Sequence, residues 1–188
     1  MKTTAVVVGI VLVIWLMLTL WVQYSGEPST LTFGPAESAT KALIIYNPDP
    51  IYNLDQQVCT SYAEGLAAQG ISVQLITVEH SYDIDTTFDL YVFCTNTYNF
   101  APDWRVIESI QSITSLKGSK TVAITLGAGT TNAAKRSIEK SIFDAKAKLI
   151  DSFELWLLKP NDDNRLDESN SLVAKEIAYE RALNLDLD

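Results

Sequence analysis

The sequence has few of the residues on which many enzyme sites depend. Its 188 residues include a single histidine, His80, and no G-x-S-x-G motif, which excludes a hydrolase triad built on a serine elbow. His80 is interpreted as a solvated loop residue. The 14 basic residues are outnumbered by 23 acidic ones, which gives a net charge of −9. Because a phosphate backbone needs a basic surface, this charge argues against nucleic acid as a partner.

Two cysteines and three aspartates are the candidate metal ligands. Cys59 and Cys94 stand too far apart in the chain to make a metal-binding motif. Both lie in apolar runs, so buried thiols are predicted, although an extracellular location would permit a disulfide. Asp49, Asp55 and Asp103 could converge on a hard cation such as magnesium, or could simply occupy turns and helix starts. The prediction is that the chain holds no metal.

One long hydrophobic run stands out in this acidic chain. Residues 5–22 contain no charge and no proline, and as a helix they would span ~27 Å, close to the ~30 Å hydrocarbon core of a bilayer. A buried core helix would show a polar face, and a cleaved signal peptide would have small residues where Trp21 and Tyr24 lie. Residues 1–22 are therefore predicted to be an uncleaved transmembrane anchor, with the lipid bilayer as a partner.

The charges around this run predict its orientation. Lys2 precedes it, and the first basic residue after it is Lys41. Positive charge tends to stay cytoplasmic, so the amino terminus is expected inside and the rest of the chain outside. Residues 23–40 are rich in Ser, Thr, Gly and Pro and are predicted to form a flexible stalk. Residues 41–188 remain as the folded domain.

The predicted domain alternates between apolar runs and helical patterns. Strands that alternate with helices predict an α/β fold with a doubly wound parallel sheet, in which ligands bind at the carboxyl ends of the strands. The loops at that edge would be 47–53, 95–103 and 127–132. The predicted strands are 41–46, 72–78, 90–94, 121–126 and 153–158. Helical stripes begin at Leu54, Trp104, Ile138 and Leu172, and the third stripe extends to Leu149.

Three segments resemble the flavodoxin family. The third strand and its loop lie in "DLYVFCTNTYNFAPDW", where a Thr97-Tyr98 pair is followed by Pro102. The other two segments are "GSKTVAITLGAG" and "AKAKLIDSFELW". The resemblance implies a flavodoxin-like sheet of five parallel strands in the order 2-1-3-4-5. It also implies FMN as cofactor, one- and two-electron transfer, and a redox partner protein.

The resemblance implies which residues contact a flavin. They lie in the three loops at the ligand-binding edge. Tyr98 and Trp104 could flank the isoalloxazine ring, although Trp104 could instead simply begin the next helix. The implied cofactor-binding residues are Asn47, Tyr52, Asn53, Thr95, Asn96, Thr97, Tyr98, Asn99, Gly127, Ala128, Gly129 and Thr130.

The 127–132 loop reads G-x-G-x-x-N and lacks the third glycine of a dinucleotide-binding motif. Thr130, Thr131 and Asn132 could cap the helix that follows. Such a helix start could bind an anion, or the segment could be a tight turn with a well-capped helix.

The first loop departs from the family's pattern. Residues 47–53 contain two prolines, which lack the amide that a phosphate would bind, and Asp49 and Asp55 bring negative charge. Asn53 and Gln56 are spaced as a capping box for the next helix. The structural alternative is a turn whose polar side chains satisfy its own backbone groups.

Two functions remain open. One is a membrane-anchored flavin-binding protein that transfers electrons and gains little from the FMN phosphate. The other is a flavodoxin-like scaffold without cofactor that serves as a binding or assembly module, since the fold alone does not decide function.

Overall fold

The structure is a computed structural model that describes residues 2–24, 28–83 and 86–187. Its helices form where apolar residues recur at helical spacing, and its strands form in runs of branched and aromatic residues. The helices are α1 (Lys2–Val22), α2 (Leu54–Ala68), α3 (Trp104–Ser112), α4 (Asn132–Asp144) and α5 (Asn170–Leu183). The strands are β1 (Thr30–Phe33), β2 (Lys41–Tyr46), β3 (Ser72–Thr77), β4 (Leu90–Tyr98), β5 (Ala101–Pro102), β6 (Lys120–Gly127) and β7 (Lys148–Trp156).

Five of the strands form a parallel sheet in the order β3-β2-β4-β6-β7. Read in chain order, these strands follow the predicted order 2-1-3-4-5, so the predicted architecture is confirmed. The predicted strand count is wrong, because two further strands join the five. β1 pairs antiparallel with β3 at one edge, and β5 pairs antiparallel with the end of β4.

β1 lies within the segment that was predicted to be a flexible stalk. Thr30 pairs with Ile76, Phe33 pairs with Val73, and Phe33 packs against the core. The stalk prediction is therefore wrong for residues 30–33. The free edge of β3 supplies hydrogen-bond partners to this segment, and a local sequence pattern does not reveal such long-range pairing. Residues 25–27 of the predicted stalk lie outside the described residues.

Three element boundaries differ from or refine the predictions. β4 continues to Tyr98, through residues predicted as loop, because its end pairs with β5. α4 ends before Lys146, which has a positive φ of 60°, so Leu149 lies on β7 and not on the predicted helix. The crossover after β3 is a 3₁₀ helix, Val78–Asp83, and is short as predicted. Residues 84–85 of this crossover lie outside the described residues.

Hydrophobic side chains fill both faces of the sheet. In β2, Ala42, Ile44 and Tyr46 belong to the cluster under α2 and α5, whereas Leu43 and Ile45 belong to the cluster under α3 and α4. All five are buried. Because helices cover both faces, the strands have fixed ends, and the loops after them start from a rigid edge.

α1 is apolar along most of its length. Its segment Thr4–Val22 is, by length and composition, able to cross a membrane, and 6% of it is buried against the domain. The residue after the helix, Gln23, contacts the carboxyl edge of the sheet. Its backbone oxygen accepts from Asn47 Nδ2 at 3.3 Å, and its Oε1 accepts from the Trp104 backbone N–H at 3.5 Å. The end of α1 therefore adjoins the predicted ligand-binding edge.

Candidate functional site

The loops after β2, β4 and β6 and the segment after β7 meet at the carboxyl edge of the sheet, where parallel α/β folds bind their ligands. Two adjacent cavities of about 300 Å³ and 610 Å³ lie between them. Thr97, Ala128 and Leu158 line both cavities and form their shared wall. Ligand pockets typically measure ~300–1,000 Å³, so this edge has room for a small molecule.

The smaller cavity lies between the first loop and the end of β4. It contains six of the predicted flavin contacts, together with apolar side chains from the first loop and from the segment after β7. Its lining residues are Val22, Asp49, Ile51, Tyr52, Leu54, Asn96, Thr97, Tyr98, Gly127, Ala128, Leu157 and Leu158.

The larger cavity lies beyond the shared wall and opens toward α1. Three more predicted contacts, Asn99, Gly129 and Thr130, line it. Its complete lining is Trp15, Thr97, Asn99, Phe100, Ala128, Gly129, Thr130, Leu158 and Lys159.

Three predicted contacts line neither cavity. Asn53 is exposed at the start of α2, where its Oδ1 accepts from Gln57 Nε2. Thr95 is buried, and its Oγ1 accepts from the Asp103 backbone N–H at 2.9 Å. Asn47 is also buried and donates from Nδ2 to Asp103 Oδ2 at 2.8 Å. These side chains hold the loops in position.

The Asp49 carboxylate binds the backbone amides of the first loop. Its Oδ1 accepts from the N–H groups of Ile51 at 2.7 Å and Tyr52 at 2.8 Å. Its Oδ2 accepts from the Tyr98 hydroxyl at 2.6 Å. Burial and the contact with Asp49 raise the pKa of Tyr98, so the phenol keeps its proton and donates. An anionic ligand must displace this carboxylate before it can reach the two amides.

Asp55 accepts hydrogen bonds from three further donors in and beside this loop. Its Oδ2 accepts from the Asp49 N–H at 2.6 Å and from Asn96 Nδ2 at 3.0 Å, and its Oδ1 accepts from the Gln56 N–H at 2.7 Å. Burial raises the pKa of Asp55 to about 7, although these hydrogen bonds act in the opposite direction. The predicted capping box is wrong, because Asp55 takes the Gln56 amide and Asn53 makes no side-chain cap.

Protein carboxylates also lie at the starts of α3 and α4. Asp103 caps α3 by accepting from the Arg105 N–H at 2.8 Å, and burial raises its pKa to about 6. Beside the start of α4, Glu154 accepts from Thr131 Oγ1 at 2.8 Å. Thr131 makes no side-chain cap, so the prediction that it caps this helix is wrong. Helix N-termini attract anions, and at this edge the protein's own carboxylates lie next to the starts of α2, α3 and α4.

Thr97 provides a polar atom that the protein itself does not use. Among the described residues, its Oγ1 is buried and has no hydrogen-bond partner. Gly127 lies close beside it, because a Cβ at Gly127 would stand 3.2 Å from Thr97 Cβ and 2.6 Å from Thr131 Cγ2. Buried polar atoms are nearly always hydrogen-bonded, so this hydroxyl is suited to a ligand in the cavities.

In the described part of the chain, no group of three His, Cys, Asp or Glu side chains is arranged so that it could hold a metal ion. Asp49, Asp55 and Asp103 do not form such a group in this part of the chain. Their oxygens accept N–H and O–H groups instead. Cys59 and Cys94 are buried and unpaired, as predicted.

Sequence reasoning missed Leu157 and Leu158, which line the cavities. Both follow β7, and the predicted strand 153–158 already ended at this edge, so the sequence did contain a signal for them. Trp104 does not flank the cavities with Tyr98. It begins α3, as the alternative interpretation had it, because the Asp103 cap sets the helix start there.

The turn between β4 and β5 holds a strained aromatic residue. Tyr98 pairs with Ala101, so Asn99 and Phe100 form a two-residue hairpin loop with φ of 51° and 65°. Such turns favour Asn-Gly, because both positions need positive φ. Phe100 is 68% exposed and therefore gains little from burial in return.

Phe100→Gly is expected to have a free energy of unfolding roughly 1 kcal/mol higher than Phe100→Ala, because glycine adopts positive φ without a Cβ clash. Phe100→Ala is the matched control, since both variants remove the ring but only alanine keeps the strained backbone. Denaturant titration of the detergent-solubilised chain measures both. A larger loss of stability with glycine than with alanine would show that the backbone at position 100 is not strained.

No protein-family model matches the sequence, and no curated protein matches it. Solved structures do match. An NAD(P)H:quinone oxidoreductase from Methanothermobacter marburgensis has a TM-score of 0.58 at 11% identity, over 79% of this chain and 100% of that chain. A flavodoxin from Megasphaera elsdenii has a TM-score of 0.53 at 14% identity, over 74% and 98%. A flavodiiron protein from Giardia intestinalis has a TM-score of 0.55 at 17% identity, over 77% and 35%.

The chain thus spans about a third of the flavodiiron protein but nearly the whole of the other two. At these identities the likeness is one of fold, and the order of the parallel strands agrees with it. The described residues from 28 onward form a domain with the flavodoxin-like fold.

Proposed function

We propose that the chain is a membrane-anchored flavin-binding protein that transfers electrons, and that it holds the flavin by its ring and not by its phosphate. The observation that carries this proposal is the occupied first loop. Asp49 takes the amides of Ile51 and Tyr52 directly beside a cavity with largely apolar walls. The likeness to a flavodoxin and a quinone oxidoreductase supports a redox role at this edge of the sheet.

The phosphate of FMN does not fit this loop. Pro48 and Pro50 have no N–H, and the amides of residues 49, 51 and 52 already bind carboxylates. The sequence contains no Lys or Arg between Ala42 and Trp104 that could offset the charge of a dianion. Phosphate binding would therefore require the loop to rearrange.

The ring of a flavin does fit. Ile51, Leu157 and the Tyr98 ring offer apolar and aromatic surface to a planar ligand. Thr97 Oγ1, which has no hydrogen-bond partner among the described residues, offers a polar contact. A flavin held there would supply one- and two-electron chemistry. The chain's own residues would orient the ring and exclude water from one side of it.

The anchor is part of the same proposal. Residues 5–22 would hold the chain in the bilayer. Lys2 precedes them and no basic residue follows until Lys41, which favours a cytoplasmic amino terminus. The domain would then lie outside, where a redox partner protein could reach it.

A scaffold without cofactor is the second candidate, and one observation favours it. The starts of α2, α3 and α4 are each accompanied by protein carboxylates, so an anionic ligand is not needed to offset the positive ends of these helices. A binding or assembly module needs nothing more at this edge.

The two candidate functions are distinguished by titrating the full chain in detergent micelles with riboflavin and with FMN. Flavin fluorescence is the readout. The dissociation constants are expected to lie within about tenfold of each other, ~1.4 kcal/mol. Tyr98→Ala should weaken both ligands because it removes ring surface, whereas Tyr98→Phe should leave riboflavin unaffected. Tyr179→Ala, on the distant α5, is the control.

A preference for FMN above roughly a hundredfold, ~2.7 kcal/mol, would contradict the ring-held mode. Failure of both flavins to bind would decide for the scaffold without cofactor.

A further inference from the structure

We infer that the carboxyl edge of the sheet docks onto the bilayer that holds α1, with the hairpin tip at Asn99 and Phe100 inserted among the lipids. The smaller cavity would then open at the lipid surface. This inference rests on the proposed anchor and not on flavin binding, so the two can fail separately.

The carboxyl edge carries exposed apolar side chains from three different loops. Ile51 and Tyr52 are 56% and 57% exposed, Phe100 is 68% exposed, and Leu158 is 75% exposed. All four line one or other of the two cavities. Soluble surfaces rarely gather large apolar side chains around one opening, so a partner with apolar chemistry is expected to cover them.

The position of the end of α1 indicates that this partner is the bilayer. Gln23 follows the helix directly and bonds to Asn47 and to the Trp104 backbone on this same edge. The helix therefore ends directly at this edge, with no linker between the two. If α1 crosses a bilayer, this edge has to lie at the bilayer surface.

The hairpin tip reaches back along α1. Asn99 Oδ1 accepts from Trp15 Nε1 at 3.1 Å, and Asn99 Nδ2 donates to Thr19 Oγ1 at 3.1 Å. Trp15 precedes Val22 by about two turns, so the tip lies ~10 Å before the end of the helix. Amphipathic segments at membrane surfaces insert ~5–10 Å, which is the depth this arrangement requires.

The polar groups at the edge are compatible with contact with lipid. Both amide atoms of Asn99 are hydrogen-bonded, and the carboxylates of Asp49 and Asp55 are occupied by N–H and O–H donors. The exposed Lys159 holds its ammonium 3.9 Å from the Trp156 ring centroid, where it could meet a lipid phosphate. Because the whole chain has a net charge of −9, it should bind a zwitterionic membrane surface better than an anionic one.

The test uses the full chain in phosphatidylcholine vesicles, with a nitroxide attached to Phe100→Cys. The control is Phe143→Cys, which replaces another exposed aromatic residue, at the far end of α4 on the opposite edge. The native cysteines are buried and should not react. Collisions with oxygen and with a water-soluble nickel chelate report the depth of each label.

The label at position 100 is expected to lose collisions with nickel and gain collisions with oxygen relative to position 143. Equal nickel access at the two positions would overturn the inference even if the chain floats with the vesicles. Dipolar broadening between labels at position 100 would overturn it in favour of a second copy covering the edge. Failure of the chain to float with vesicles would overturn the anchor as well.

Discussion

Replacement of Asp49 by serine is expected to strengthen FMN binding roughly tenfold to a hundredfold and to leave riboflavin binding unchanged. The Asp49 carboxylate holds the amides of Ile51 and Tyr52, and serine is too short to hold both. A hydrogen bond to a charged group contributes ~1.5–3 kcal/mol, so two released amides can account for this gain even beside Asp55. Riboflavin lacks the phosphate and has nothing to gain there.

Asp49→Asn separates the two reasons why the phosphate is excluded. Asparagine removes the negative charge, but its Oδ1 can still accept from both amides. If occupied amides exclude the phosphate, the serine variant gains affinity for FMN and the asparagine variant gains little. Fluorescence titration of both variants with both flavins gives the comparison. Equal gains would show that charge alone was responsible and that the hydrogen bonds play no part.

The free energy of unfolding is expected to fall by on the order of 4 kcal/mol between about pH 4 and about pH 8 through Asp55 alone. Burial raises the pKa of Asp55 in the folded chain to about 7, from an ordinary value of 3.8. Between these values the folded state holds a proton that the unfolded chain has lost. The stabilisation is therefore complete below about pH 4 and is lost as the pH rises through about 7. Asp103, with its pKa raised to about 6 by burial, acts in the same direction.

Asp55→Asn should flatten this pH dependence, because the variant no longer carries a proton to lose. Asp163→Asn, an exposed change in the segment before α5, is the control and should leave the slope as it is. Chemical denaturation at a series of pH values measures the slope. An unchanged slope in Asp55→Asn would mean that Asp55 is ionised in the folded protein across this range.

The parallel sheet could be predicted from the sequence because its signals are local. Runs such as residues 41–46 are buried on both faces and need no knowledge of their neighbours to be recognised as strands. β1 and β5 could not be predicted in this way, because four and two residues become strands only when a neighbouring edge offers them partners.

The location of the candidate site could be predicted from the sequence, but the hydrogen bonds within it could be predicted only in part. The loops at the carboxyl edge were identified, and nine of the twelve predicted contacts line the cavities. The sequence also indicated that the first loop is unsuited to phosphate. It did not reveal that Asp49 binds the amides itself, because that depends on the path of the backbone through residues 49–52. The contribution of Leu158 likewise depends on how β7 ends.

The carboxylates at the starts of α2, α3 and α4 affect whether the chain can fold in the cell before it binds a ligand. Because the protein's own carboxylates lie beside these helix starts, a bound phosphate is not needed to offset the positive ends of the helices. Newly made chains would then fold without a flavin phosphate, and a flavin bound by its ring would add stability only in proportion to its occupancy. Under the proposed function, folded domains without flavin would therefore be present at the membrane before the ligand is bound.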